Sequence, residues 1–305
     1  DFCVYAAVEG GRMRFYFAVK HEGAWRVVEG LYDERGKAVE LWRKERDVLE
    51  AIRGAVVKAL EKLVSEQQGR SAEVGEPKEE RDKEGKVVGY SLRLYGHHLT
   101  PFLEHAADSV EARLAEVRLE GRNIVVEVGD VKTKVEFKLL KRGEADFLSV
   151  QDVTQTLVLY KSLKMLGVPV EITPKGVKVD SEALWALIAV AIERGALNKL
   201  PAEVMPSVEL LNVYSAGGVK IYVFRAEGVH YYFAVKTRQE WKATGGKKSG
   251  KVVQIHGEAA RVVAEAINAV YREMGVERRA EVKYNQNRVP YIKLTNVDLR
   301  LLGSA

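Results

Sequence analysis

Basic and aromatic residues fall on alternating positions in several short stretches of this chain. Between residues 12 and 20, Arg12, Arg14, Tyr16 and Lys20 share one parity, and Met13, Phe15, Phe17 and Val19 the other. In an extended strand that spacing puts the two sets on opposite faces. One face is apolar; the other carries groups that contact phosphates and stack on bases. Residues 228–238 repeat the pattern, with His230, Tyr232, Lys236 and Arg238 on one parity against Tyr231, Phe233 and Val235. Lys220 stands in the preceding run VKIYVF, and Lys132, Lys134 and Lys138 alternate in mid-chain. Lys283, Arg288 and Lys293 lie near the end, and Lys247 and Lys248 lie in ATGGKKSG (243–250), read as a loop. Apart from Glu136, glutamate is scarce on these parities. Such faces suit an anionic polymer, whose bound counterions cationic side chains release. The bland alternative is that half-buried strands simply turn Lys and Arg to water.

Other chemistries find less material. His97, His98 and His105 stand seven or eight positions apart with no cysteine or carboxylate set beside them, which favours a surface role over a metal site. Gly245-Gly246-Lys247-Lys248 lacks the spacing of a phosphate loop. Cys3 is the single cysteine, so neither an internal disulfide nor a multi-cysteine metal site is possible. No Ser/His/Asp or Cys/His order can be argued, and no small-molecule cofactor is expected.

The 305 residues are 47% hydrophobic and 30% charged, the balance of a soluble globular chain with room for two or three domains. No apolar run reaches the ~18 residues of a membrane span, so a cytoplasmic, membrane-free and monomeric protein is expected. A net charge of +5 permits an anionic partner. Sparse cysteine and dense Glu, Lys, Arg and Val lean toward a thermophilic source.

What positions these residues is a repeat. FYFAVKHEGAW (15–25) returns as YYFAVKTRQEW (231–241), 216 positions later. GKAVELWRKERDVLEAI (36–52) and GKVVQIHGEAARVVAEAI (250–267) extend the likeness, each leading into an amphipathic helix, roughly 38–66 and 257–275. Paired β-like runs follow at 86–96 and 280–302. In between, 113–140 alternates in period two, 152–166 is helical, 168–179 is a hairpin and Ser181 opens a helix over 182–194. Residues 65–85 read as a solvated linker. The expected division is a first unit at 1–112, a divergent middle unit at 113–197 and a second unit at 198–305, each hairpin-helix-hairpin-helix in an α+β fold.

LLNVYSAGG (210–218), directly ahead of the strand 219–224, resembles the LAGLIDADG motif of homing endonucleases through Leu210, Val213, Tyr214, Ala216 and Gly218. The resemblance implies αββαββα units, with 210–218 ending a helix and the hairpins forming a saddle on DNA. Ser215 and Gly217 stand where the motif has its two acids. The 216-residue offset carries Gly217 onto Asp1, which the resemblance makes the one remaining catalytic and Mg²⁺-binding acid, on a motif helix that would precede it. Residues 218–303, with VHYYFAVK and VPYIKLTNVDLRLLG, also resemble the archaeal Pyrobaculum repeat-protein family.

Together these features lead to an expected double-stranded DNA-binding protein related to homing endonucleases, with cleavage lost or weak. The alternatives are an active Mg²⁺-dependent site-specific endonuclease and a non-enzymatic scaffold or protein-interaction module.

Overall fold

The computed structural model describes residues 1–64, 73–141, 143–148, 150–195, 197, 200 and 207–303. One element order occurs three times along them. The first series is β1 (Phe2–Glu9), β2 (Arg12–His21), β3 (Ala24–Asp33), β4 (Ala38–Arg43), α1 (Arg46–Val64), β5 (Lys78–Arg81), β6 (Val87–Tyr95) and α2 (Gly96–Asp108). The second is β7 (Glu116–Glu120), β8 (Asn123–Val128), β9 (Val131–Glu136), β10 (Ala145–Leu148), α3 (Val153–Met165), β11 (Glu171–Thr173), β12 (Gly176–Asp180) and α4 (Ser181–Arg194). An extra strand, β13 (Val208–Ala216), precedes the third. That series is β14 (Val219–Ala226), β15 (His230–Lys236), β16 (Trp241–Ser249), β17 (Val252–His256), α5 (Ala259–Glu273), β18 (Lys283–Tyr284), β19 (Pro290–Thr295) and α6 (Asn296–Gly303).

Each series is therefore four strands, a helix, two strands and a helix. The first sheet runs β1-β2-β3-β4-β6-β5; the third repeats that order as β14-β15-β16-β17-β19-β18, with β13 outside β14. The middle series splits into β7-β8-β9 and β10-β12-β11. The αββαββα expectation is thus corrected: the chain is sheet-rich, 43% strand against 29% helix, in four antiparallel sheets.

Three stretches carry the correction. The motif-like segment 210–218 is no helix. It is β13 and its turn, where Gly217 and Gly218 have φ of +58° and +80° and link the paired residues Ala216 and Val219. Such a two-residue turn needs positive φ at both positions, which glycine adopts without a Cβ clash. Residues 24–33, between the expected hairpin and helix, form β3, and residues 38–43, expected as the start of that helix, form β4, so that α1 begins only at Arg46. Residues 243–249 are no loop but belong to β16, paired with β15, and a Cβ on Gly246 would lie 2.2 Å from the Gln254 carbonyl oxygen. Glycine serves close strand approach there, as Gly30 does over Val39 and Glu40 at the same point of the first sheet. Within the expected linker 65–85, residues 78–81 form β5; residues 65–72 lie outside the described residues.

Two compact units arise from this order: Asp1–Ala112 with Ser149–Lys161 and Ile172–Lys178, and Arg113–Leu148 with Ser162–Glu171 and Val179–Ala305. The middle series is shared between them. In the first unit Phe15, Phe17, Leu41, Leu49, Ile52, Leu92, Leu94 and Leu99 form the core. Tyr231, Phe233, Ile255, Val263, Ile267, Ile292, Leu294 and Leu299 do so in the second.

Candidate interaction surface

Strand register defines what each sheet shows on the side away from its core. In the first sheet the cross-strand rows there are Lys20–Trp25, Cys3–Ala18–Val27, Tyr5–Tyr16–Glu29 and Ala7–Arg14–Leu31, and Glu9–Arg12 closes one end. Asp1 joins the first row through its carbonyl, which accepts from the Lys20 N–H at 3.2 Å. In the third series the rows are Lys220–Lys236–Trp241, Tyr222–Ala234–Ala243, Phe224–Tyr232–Gly245 and Ala226–His230–Lys247. Lys20 and Lys236 both face a tryptophan, so the two faces correspond row for row.

That correspondence fixes the place of Asp1. Asp1 lies opposite Lys20 as Lys220 lies opposite Lys236. The β1–β2 turn and the β14–β15 turn differ in length, so the offset of 216 that relates β2 to β15 becomes 219 between β1 and β14. Asp1 therefore corresponds to Lys220 and not to Gly217. The Asp1 carboxylate is exposed, 3.8 Å from the Lys20 ammonium.

The two equivalent faces differ in what covers them. In the second unit α4 lies against β15 and β16. Its Trp185 stacks on Tyr232, centroids 4.1 Å apart, and packs on Phe224 at 5.1 Å and Phe137 at 5.6 Å. At the helix end Glu193 takes both Lys220 (2.9 Å) and Lys236 (2.6 Å). Burial raises the Glu193 carboxyl, but the hydrogen bonds from Lys236 and Lys220 outweigh it and hold the group below its usual value. Residues 183–192 of α4 are buried without a break, since the helix also packs against β7 and β8. Tyr222, Phe224, Trp241 and Ala243 are left at most 2% exposed.

Nothing among the described residues covers the first face in that way: Tyr5 is 61%, Trp25 51% and Val27 48% exposed, and Cys3 is exposed between them. Its charges balance, with Arg12, Arg14 and Lys20 against Asp1, Glu9 and Glu29. Arg14 pairs with Glu9 (2.9 Å) and Glu29 (3.4 Å), and the Tyr16 hydroxyl donates to Glu9 at 3.0 Å.

The cationic residues expected on one saddle are thus dispersed. Tyr232 is buried and His230 half-buried, while Lys220 and Lys236 hold Glu193. Lys132 pairs with Glu127 at 2.9 Å, Lys138 with Asp146 at 2.8 Å and Lys283 with Glu281 at 3.8 Å. Lys134 is exposed on β9, and Arg238 and Arg288 lie in exposed turns. Lys293 lies over the Tyr291 ring. Lys247 is exposed in β16, and Lys248 lines a cleft of about 750 Å³ with Arg225 and Arg300, where Glu209 neutralises Arg225. Sequence reasoning passes over Tyr5, Trp25 and Val27; the signal for Tyr5 is that FCVYAAVE (2–9) is apolar on both parities, the pattern of a strand meant to be covered on both faces.

Among the described residues one group could hold a cation: ligand atoms of His21, Glu22 and Asp47 lie within 4.8 Å of one another. One nitrogen and two carboxylates suit zinc better than magnesium. His21 Nε2 is already 2.9 Å from Asp47, and Thr237 and Arg238 occupy the matching places of His21 and Glu22 in the third series. The chain matches no family model, no curated protein and no solved structure.

Proposed function

We propose that this chain is a non-enzymatic protein-interaction module. The observation that carries this reading is the open, aromatic and charge-balanced outer face of β1–β3, whose counterpart on β14–β16 is sealed by a helix. Contiguous apolar surface of this kind marks sites of macromolecular contact. Tyr5, Trp25 and Val27 still expose about half of their surface, and covering it would favour association after the cost of ordering the partners. A duplex-binding face needs surplus cations, because phosphate contacts supply its affinity; here three anions offset three cations. Catalysis by paired carboxylates on Mg²⁺ also has little support, since Asp1 faces an ammonium and magnesium holds poorly on one protein ligand.

The reading is tested by titrating labelled duplex DNA with the full chain at several salt concentrations, with and without Mg²⁺. Weak binding at low salt and intact DNA are expected. Tight binding that falls steeply with salt would make the chain a DNA-binding protein, and cleavage would make it a nuclease; either overturns the reading.

A further inference from the structure

We propose that the outer face of β1–β3 is a docking surface for one apolar helix of a partner protein, seated as α4 is seated on β14–β16. The proposal rests on the protein-interaction reading above and names the partner's chemistry.

Row-for-row equivalence supplies the occupant. Tyr5 and Tyr16 hold the places of Phe224 and Tyr232, the two rings that receive Trp185. Trp25 holds the place of Trp241, and Cys3, Ala18 and Val27 hold those of Tyr222, Ala234 and Ala243. Small or aliphatic residues in that row leave room for a helix backbone beside the aromatic row. A partner helix with an aromatic ring at its centre and small aliphatic residues around it meets both rows. Charge complementarity narrows the choice further. Glu193 of α4 answers two lysines, whereas in the first face Asp1 replaces one of them and pairs with Lys20. The carboxylate is therefore already supplied by the sheet, and the partner's contact stripe is uncharged. A strongly acidic helix or a nucleic acid would find no surplus cation there, because Asp1, Glu9 and Glu29 already pair with Lys20 and Arg14 and offset Arg12.

Cys3 reports occupancy directly, because it is the single cysteine, is exposed and sits inside the face. The probe is residues 181–194 of this chain carrying Glu193→Gln, fused to a soluble carrier that lacks cysteine. With full-length protein, the probe is expected to slow Cys3 alkylation at least tenfold. Trp185→Ala in the probe, or Val27→Glu in the protein, is expected to abolish that protection. Trp25→Ser serves as a second variant, and circular dichroism checks that both fold. Absence of protection at the solubility limit of the probe, or protection unchanged by both Val27→Glu and Trp25→Ser, would overturn the helical partner while leaving the interaction reading in place. Salt-sensitive protection of Cys3 by duplex DNA would overturn the interaction reading itself.

Discussion

His98 and Asp298 hold the same position, the third residue of a helix that continues directly from a strand. His98 Nδ1 accepts the Tyr95 N–H at 3.1 Å, and Asp298 Oδ2 accepts the Thr295 N–H at 2.7 Å. Each closes a helix start whose backbone donors would otherwise be orphaned. The cap bond requires a neutral imidazole, and burial, aided by His97, pushes His98 down to about 4. Its folded value lies below the unfolded one near 6.5, so the unfolded chain binds more protons in between. Stability is full above pH 6.5 and falls toward pH 4, by up to about 1.4 kcal/mol per pH unit. Denaturant melts of the first unit at pH 7, 6 and 5 should show that slope, and His98→Gln should flatten it. Burial raises Asp298, but Arg278, Thr295 and Tyr271 outweigh it and hold the carboxyl below its ordinary value. Its contribution persists to lower pH and is lost only as pH falls through that depressed value. Asp298→Ala strands the buried Tyr271 hydroxyl and uncaps the helix start at Thr295, while the exposed Arg278 returns to water; it should cost about 1–3 kcal/mol in chemical denaturation.

Single elements depend on close approach. Gly30→Ala and Gly246→Ala would each place a methyl group within 2.6 Å of a backbone carbonyl oxygen, and each should lower stability by about 1–3 kcal/mol. Gly217→Ala, at positive φ in an outer turn, should cost about 1 kcal/mol. Removing the ring of Trp185 leaves a cavity between helix and sheet, and Trp185→Ala should cost about 3–5 kcal/mol in a thermal or denaturant melt. Element order was legible where one face of a strand is core: the parity of residues 12–20 matches the buried Met13, Phe15, Phe17 and Val19. It was not legible where glycine serves packing instead of a turn, as in β16, or where a glycine pair ends a strand instead of a helix, as after β13. Parity also shows which side chains share a face without showing what covers it. For that reason Tyr232 and Lys236 read like Tyr16 and Lys20, although α4 covers only the former pair.

At the scale of the whole chain, three series with one element order carry different fates for the same surface. In the third, the last helix of the preceding series closes the outer face; in the first, no described residue closes it in that way. Thiol reactivity reads this contrast between the two faces. Cys3 and Tyr222 occupy equivalent places, so Cys3 in the native chain is compared with Tyr222→Cys in a Cys3→Ser background, each at low protein concentration. Cys3 is expected to react within about tenfold of a free thiol, because the exposed thiolate is the nucleophile. The cysteine at position 222 is expected to react at least a hundredfold more slowly, at a rate that rises when Trp185→Ala loosens α4. Equal rates at the two positions, or a protected Cys3, would contradict the account.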